Sequence, residues 1–492
     1  MTSCGKVSGE LIDGVTRFLG IPYAADPVGP LRCQAPQPPL PWDGVRDCTA
    51  FSATPPKAGY RPPFDELLPE VNIAGDDWLS LNVWSPGLTG EAPVMVWIHG
   101  GAFRNGNSAM PVYDGQSFAR DGVVLVSINY RLGVDGFALL PDAPANRGLL
   151  DQVAALEWVR DNIAAFGGDP GNVTIFGESA GAISVMLLLG MPKARGLFAK
   201  AIAQSGATQA GAAPDDARRV TAELTAALGA EATASNIAAI DIETLLAAQT
   251  AVGDALAANP DPARWGPTIA ASSLAAFVPV VDGDVVPVHP QAAVRAGAGA
   301  DVPLMIGTNT EEFRFFLVPS GVASIVTDEN LPGFLAAFGV SADVAALYRE
   351  NRPGATAGDV LCALITDSFF RMSAYRVAEA RAADPGATYF YEFAWPSPVA
   401  DLGAAHAIEI PFVFDNLAAA GAKNLTGDEP PAELAGQMHA TWVRFASDGN
   451  PGWEPFDSSY PVMTFGVAAP SVVLDPRGDE RRIWSRHTRT AP

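Results

Sequence analysis

The fold of this chain is decided by the stretch Asn172-Val173-Thr174-Ile175-Phe176-Gly177-Glu178-Ser179-Ala180-Gly181 and by the apolar run that follows it. The β-branched and aromatic residues before Gly177 favour a strand, and the run 182–189 favours a buried helix. A Gly-x-Ser-x-Gly pattern between a strand and a helix predicts a sharp turn, the nucleophile elbow. Gly177 and Gly181 suit that turn because it leaves no room for side chains at the flanking positions. We therefore expect Ser179 to present its hydroxyl at the end of a strand.

Other apolar runs predict a large sheet around this strand. They lie at 94–98, 123–128, 302–306 and 388–393. Runs without polar alternation are typical of strands buried on both faces, and the helical patterns between them favour an α/β fold with a mostly parallel mixed sheet flanked by helices. An alanine-rich segment around 207–264 predicts a helical excursion over the active site. No clear linker separates it, so we expect one domain over residues 1–492.

The net charge and the distribution of apolar residues argue against binding to nucleic acid and to membranes. With 54 acidic against 31 basic residues the net charge is −23, which makes nucleic acid an unsuitable partner because phosphate binding needs a basic face. The first seven residues lack the apolar run of a signal peptide, and no uncharged apolar stretch is long enough to cross a bilayer. We therefore expect no membrane association.

The cysteines bear on the cellular compartment. Cys4, Cys33, Cys48 and Cys362 form no Cys-x-x-Cys pair, and four in 492 residues are too few for a disulfide framework. They are interpreted as free thiols of a reducing cytoplasm, with a Cys33–Cys48 bridge as the alternative left open.

A serine nucleophile needs a base, and histidine is the usual one near neutral pH. His439 lies in a helix-like run, His289 in a proline-flanked loop and His487 in a charged tail, which leaves His99 and His406. In proteins with this elbow the chain order is serine, acid, histidine. His406 satisfies that order and His99 does not.

Candidates for the acid that would orient the histidine, and for the N–H groups that would bind the oxyanion, lie after other predicted strands. A loop with adjacent Glu311 and Glu312 follows the run 302–306, and the residues alone do not choose between them. Small residues after the run 94–98, Gly101 and Ala102 among them, offer unhindered N–H groups, to which Ala180 adds the N–H after the nucleophile. No metal-ligand spacing, Walker loop or dinucleotide fingerprint is present, so we expect no metal and no cofactor.

Several ungapped motifs resemble the type B carboxylesterase/lipase family, which includes bacterial p-nitrobenzyl-type esterases and cholinesterases. They are Gly-Val-Thr-Arg-Phe-Leu-Gly-Ile-Pro-Tyr-Ala at 14–24, Asn-Tyr-Arg-Leu-Gly at 129–133, Gly-Leu-Leu-Asp-Gln at 148–152 and the elbow with its approach at 166–182. The resemblance runs nearly from end to end and implies the α/β-hydrolase fold.

The resemblance also implies roles for individual residues. Ser179 falls on the nucleophile, Glu312 rather than Glu311 on the acid, and His406 on the base. Gly101, Ala102 and Ala180 fall on the oxyanion donors. Glu178 is implied to be a buried carboxylate that favours the charged imidazole, or else only stiffens the elbow.

Three positions depart from the family pattern. Trp78 stands where secreted relatives have a disulfide cysteine, which fits a cytoplasmic protein. Ala407 replaces a glycine common after the histidine, and Phe313 replaces a glycine after the acid. The last two are expected to be tolerated, with some shift of the pocket wall.

The sequence therefore predicts a serine carboxylic-ester hydrolase that acts on small to medium uncharged esters as a monomer or weak homo-oligomer. An amidase or carbamate hydrolase with the same residues is the first alternative. The second, a non-catalytic adhesion or scaffold protein, is disfavoured because Ser179, Glu312 and His406 are all present.

The proposed base also predicts a pH dependence. A histidine imidazole has an ordinary pKa of about 6.5 and must be neutral to act as a base, so we expect activity to rise with pH through that value.

Overall fold

A computed structural model describes residues 1–272, 275–337 and 339–486 of the chain. His487, one of the histidines considered above, lies outside these described residues. Within them the strands are β1 (Lys6–Ser8), β2 (Glu10–Ile12), β3 (Val15–Pro22), β4 (Val45–Asp47), β5 (Ser80–Ser85), β6 (Ala92–Ile98), β7 (Val124–Ile128), β8 (Gly168–Glu178), β9 (Lys200–Gln204), β10 (Leu304–Asn309), β11 (Thr388–Phe393), β12 (Pro461–Phe465) and β13 (Ser471–Leu474).

In the described chain the main sheet has eleven strands in the order β13-β12-β11-β10-β9-β8-β6-β7-β5-β3-β2. The seven strands from β6 to β12 run parallel, and antiparallel pairs form both edges. Strands β1 and β4 pair separately. Because the carboxyl ends of parallel strands meet at one edge of a sheet, the loops after β6, β8, β10 and β11 come together there.

Helices cover both faces of this sheet. They are α1 (Phe64–Leu67), α2 (Gln116–Arg120), α3 (Gly133–Phe137), α4 (Arg147–Asn162), α5 (Ala180–Gly190), α6 (Pro214–Leu228), α7 (Ala234–Ala239), α8 (Ile242–Ala258), α9 (Pro262–Trp265), α10 (Pro267–Ser272), α11 (Pro290–Arg295), α12 (Arg314–Leu317), α13 (Val322–Ile325), α14 (Leu331–Ala337), α15 (Ala342–Asn351), α16 (Ala357–Thr366), α17 (Met372–Arg381), α18 (Ile410–Val413), α19 (Lys423–Thr426), α20 (Ala432–Asp448) and α21 (Gly478–Arg486). A π-helical turn, Asp367–Arg371, joins α16 to α17.

The predicted elements around the elbow are present. The four apolar runs are β6, β7, β10 and β11, and helices such as α4 and α6 lie between them in the chain. The elbow lies between β8 and α5. The helical connection between β9 and β10 contains α6 to α9 and continues past residue 264 with α10 and α11.

The side chains of the central strands pack into two apolar clusters. In β6, Val94, Val96 and Ile98 belong to one cluster, which also contains side chains of α5. Met95 and Trp97 belong to the other, which contains side chains of α20. Successive side chains of a strand point to opposite faces, so α5 and α20 cover opposite sides of the same strand. Burial on both faces explains the continuous apolar runs in the sequence.

All four cysteines are free thiols, so the Cys33–Cys48 bridge left open above is not formed. Among the described residues, no helix combines the length and the apolar character needed to cross a membrane.

Candidate active site

Ser179 occupies the turn between β8 and α5 with φ 55° and ψ −120°. A non-glycine residue in the left-handed region is strained, and such strain is common at functional sites. Added Cβ atoms at Gly177 and Gly181 would lie 2.5 and 1.9 Å from the Ile98 carbonyl oxygen, too close for any side chain. The turn is fixed further by the Ser179 N–H, which donates to the Gln204 carbonyl of β9 at 2.9 Å. The serine is held in one position, with its side chain partly exposed.

His406 lies at the same edge of the sheet, on the loop after β11. Its Nδ1 is 2.6 Å from Oε2 of Glu312, whose other oxygen accepts the Asn309 N–H at 2.8 Å. Glu312 is fully buried. Glu311 instead accepts the backbone N–H of Ala404 at 2.9 Å. Of the two adjacent glutamates, the structure brings Glu312 to the imidazole.

The second imidazole nitrogen faces Glu178. Nε2 of His406 is 3.0 Å from Glu178 Oε1, but the two atoms lack hydrogen-bond geometry. Within the described chain, no hydrogen bond joins this nitrogen or the Ser179 hydroxyl to another residue. Catalytic hydrogen bonds are often loose before substrate binds. Nε2 is thus the nitrogen left available for a proton from the serine.

The carboxylates around His406 set its charge. Burial opposes protonation, but Glu178 and Glu312 outweigh it and raise the pKa of His406 to about 9. Burial raises the pKa of Glu178 to about 8, and His406 acts against that rise. The pKa of Glu409 is also raised, first by burial and then by Glu312. The site therefore favours the charged form of the imidazole, with buried Glu312 beside its Nδ1.

Glu409 belongs to this group, although the sequence analysis gave it no role. Asn309 donates to it at 2.7 Å and Gln204 at 3.3 Å. Gln204 in turn accepts the indole N–H of Trp442 at 3.0 Å. The available signal was proximity in the sequence, since Glu409 follows His406 by three residues. In the described part of the chain, no group of three or more His, Cys, Asp or Glu side chains is arranged to hold a metal ion.

Aromatic rings cover the imidazole. The ring centroids of Phe370, Phe316 and Phe315 lie 4.9, 5.3 and 6.2 Å from that of His406. Phe313, at a position where a glycine is common, contacts Phe316 and Phe370 in the same cluster. Phe370 lies on the π-helical turn, which the sequence analysis did not predict. These rings exclude water from His406 and line an apolar side of the site.

The loop after β6 holds candidate oxyanion donors. The N–H groups of Gly101 and Ala102 bond to no described residue, and Ala180 is the first residue of α5, where the N–H has no partner within the helix. The loop is tightly turned, since the Gly101 carbonyl accepts the N–H groups of Arg104 and Asn105 at 3.1 and 2.8 Å. Three unpaired donors thus lie on the loops that flank Ser179.

His99 holds this loop instead of facing the serine. Its Nδ1 is 2.8 Å from the Gly100 carbonyl oxygen, and its ring stacks on Tyr130 at 4.5 Å. Burial lowers its pKa to about 4, so it stays neutral. His289 caps α11 and His439 contacts the Val413 carbonyl oxygen.

Ala407 shows why a glycine is common at its position. Its φ is 67°, in the left-handed region where a Cβ is unfavourable. The chain adopts this conformation directly after His406 despite the alanine.

Comparisons with known proteins find similar sequences over nearly the whole chain. The sequence profile of the carboxylesterase family matches residues 1–471. The chain is 38% identical over 468 residues to the para-nitrobenzyl esterase of Bacillus subtilis (strain 168), covering 92% of this chain and 90% of that protein. It is 35% identical over 506 residues to the phenmedipham hydrolase of Pseudarthrobacter oxydans, covering 97% and 94%.

The fold is also that of solved esterase structures. A carboxylesterase of Geobacillus stearothermophilus, solved at pH 6.2, is similar with a TM-score of 0.85 and 37% identity over 98% of this chain and 99% of that one. A thermophilic PNB esterase is similar with a TM-score of 0.84 and 33% identity over 98% of each chain. The expected α/β-hydrolase fold, a large mixed sheet flanked by helices, is confirmed.

Proposed function

The chain belongs to the carboxylesterase family and is a carboxylic ester hydrolase, and from that premise we propose that it works through Ser179, His406 and Glu312. One observation carries the proposal. A strained serine lies at the strand-to-helix turn, and the same sheet edge holds an imidazole whose Nδ1 is 2.6 Å from a buried carboxylate. This is the constellation that activates a serine hydroxyl.

In the first half of the reaction, Nε2 of His406 takes the proton of the Ser179 hydroxyl as its oxygen attacks the ester carbonyl. The N–H groups of Gly101, Ala102 and Ala180 donate to the oxygen that becomes negative. The alcohol then leaves with the proton held by His406, and the acyl group stays on Ser179.

In the second half, His406 takes a proton from water, which attacks the acyl-enzyme and releases the acid and free serine. Glu312 accepts the Nδ1–H throughout, which fixes the tautomer and stabilises the imidazolium. Glu178 touches the other side of the ring and stabilises its charged form.

The contact with Glu178 leads to a prediction about pH. His406 must be neutral to act as base, and its pKa is raised to about 9. We therefore expect kcat/KM to rise with pH through an ionisation well above the 6.5 expected from the sequence. In Glu178→Gln the midpoint should fall by about one unit or more, since an opposite charge is lost from the imidazole. The measurement is kcat/KM for p-nitrophenyl butyrate against pH.

Glu311→Gln is the matched control, because Glu311 bonds to the Ala404 N–H and not to the imidazole. Its midpoint should equal that of the unmodified protein. Equal midpoints for Glu178→Gln and the unmodified protein would show that Glu178 does not act on the base.

The substrates proposed are small to medium esters that are uncharged next to the scissile bond. The apolar rings around His406 support this, since these side chains themselves offer no partner for a charged substituent next to the reacting atoms. Hydrolysis of p-nitrophenyl acetate, butyrate, octanoate and palmitate should give a kcat/KM maximum at acetate or butyrate and weak activity on palmitate.

The same assay tests the proposed function. Absence of hydrolysis for every chain length would refute it, and a maximum at palmitate or activation by an emulsion interface would indicate a lipase instead. A matched p-nitroanilide of butyric acid distinguishes an amidase, for which it would be the better substrate.

A cytoplasmic location is proposed as well. Its support is the four free thiols, which suit a reducing compartment. The net charge of −23 supports a monomer or weak homo-oligomer, because copies repel one another, and it disfavours nucleic acid as a partner.

A further inference from the structure

A cavity of about 250 Å³ lies beside the loop that carries the oxyanion donors. Arg104 and Asn105 of that loop form one wall, and Gln249 and Thr250 of α8 form another. Gly133, also at the cavity, donates its N–H to the Phe103 carbonyl at 2.7 Å. The cavity thus adjoins the turn that begins at Gly101, and it is large enough for a small substituent of a substrate.

Arg104 is exposed to solvent at the edge of this cavity, and its charge acts on the half-buried carboxylate of Glu70. Within the described residues, no ion pair or hydrogen bond engages the Arg104 guanidinium, and a Cβ on Gly253 of α8 would lie 3.9 Å from its Nη1. Asp254 is the acidic residue of the cavity lining, and both of its oxygens accept hydrogen bonds from Arg61, at 3.2 and 3.0 Å. Glu70 is the carboxylate on which the charge of Arg104 acts; its Oε1 accepts the Gly106 N–H at 2.7 Å, and its Oε2 has no hydrogen bond to a described residue.

Uncharged side chains that line the cavity also carry hydrogen-bond donors. Gln249 uses its carbonyl oxygen to accept the Val134 N–H at 2.8 Å, and its amide N–H₂ has no acceptor among the described residues. Thr250 lies next to it in the lining. Three residues with hydrogen-bond donors, Arg104, Gln249 and Thr250, therefore line one space, and the carboxylate of that lining, Asp254, is paired with Arg61.

We propose that Arg104, with Gln249, binds a carboxylate that the ester substrate carries at a distance from its scissile bond. Guanidinium and carboxylate match in geometry and form charge-assisted hydrogen bonds. The proposal rests on the proposed function and extends its substrates from uncharged esters to esters with one remote anionic group. The sequence analysis expected uncharged substrates because it gave no weight to Arg104, three residues after Gly101.

The test compares two pairs of esters that differ in one negative charge. Mono-p-nitrophenyl glutarate against p-nitrophenyl valerate places the carboxylate on the acyl side. p-Carboxyphenyl butyrate against its methyl ester places it on the alcohol side. Arg104→Gln should lower the ratio of kcat/KM for the anionic over the neutral ester by about tenfold in at least one pair. Arg104→Glu should lower it further, and Arg104→Lys should retain part of it.

Arg295→Gln is the control, because it removes the same charge from an exposed position of α11 outside the cavity lining. Both of its ratios should match those of the unmodified protein. The pair that responds shows whether the carboxylate belongs to the acid or the alcohol. If Arg104→Gln leaves the ratio of kcat/KM for the anionic over the neutral ester unchanged in both pairs, the proposal is overturned. An unmodified protein that hydrolyses none of the four esters would refute the proposed function itself.

Discussion

Replacement of Ser179 by alanine is expected to lower kcat for an activated ester such as p-nitrophenyl butyrate by about 10⁴-fold or more. The physical reason is that no other side chain can form the acyl-enzyme, so only the oxyanion donors and substrate binding still assist attack by water. The fold should be unaffected, since the hydroxyl makes no hydrogen bond to a described residue. Steady-state kinetics on the purified variant, with a circular dichroism melt, measure both effects.

Ser205→Ala provides a matched control for this variant. Ser205 follows the neighbouring strand β9, has φ 50°, and its buried hydroxyl has no hydrogen-bond partner in the described chain. Its removal should leave kcat within a few-fold of the unmodified value. If Ser179→Ala keeps even a tenth of the activity, Ser179 is not the nucleophile.

Glu312→Gln is expected to lower kcat/KM by about 10³-fold or more, on the precedent of a carboxylate-to-amide change in a serine triad. The Glu312 carboxylate lies 2.6 Å from Nδ1 of His406, close enough to accept a hydrogen bond from the Nδ1–H. A glutamine can present its N–H₂ there, which favours the wrong tautomer and leaves the imidazolium without its counter-charge. The measurement is kcat/KM for p-nitrophenyl butyrate at a pH on the plateau of the unmodified protein.

Glu311→Gln separates this effect from a general loss of charge in the loop. Glu311 accepts the Ala404 N–H through one oxygen, and a glutamine keeps such an acceptor. Its kcat/KM should stay within a few-fold of the unmodified value. The reverse order of the two variants would move the acid to Glu311.

Much of this architecture followed from local patterns. The continuous apolar runs predicted β6, β7, β10 and β11, because a strand buried on both faces leaves no polar alternation. The elbow was predicted because a turn this sharp requires glycine at both flanking positions. The structure shows the steric cause, since Cβ atoms there would lie 2.5 Å or less from the Ile98 carbonyl oxygen.

Features that depend on distant residues were not predicted. The ionisation expected near 6.5 assumed an ordinary histidine, whereas the pKa is raised to about 9 by carboxylates from β8 and from the loop after β10. No window of sequence contains both. The π-helical turn that brings Phe370 to His406 is stabilised by a buried ion pair of Asp367 and Arg371 and by Glu480 of α21. A local pattern carries no information about such a partner.

Arg104 differs from these features because it lies close to a predicted site residue, three positions after Gly101. Its position on the loop was visible in the sequence. Whether a charge there is paired depends on α8, where Asp254 binds Arg61 instead. Only the folded arrangement shows that the Arg104 guanidinium makes no hydrogen bond to another described residue.

The strand order of the sheet also determines when a newly made chain becomes active. Ser179 leaves the ribosome early, but His406 follows only after β10 and β11, roughly ten to fifty seconds later at usual rates of synthesis. Strand β10 pairs between β9 and β11, so the loop with Glu312 is fixed only when all three strands have met. Under the proposed mechanism, nascent chains and fragments that end before His406 carry the serine without its base. We therefore expect hydrolytic activity only in chains whose sheet includes β9, β10 and β11.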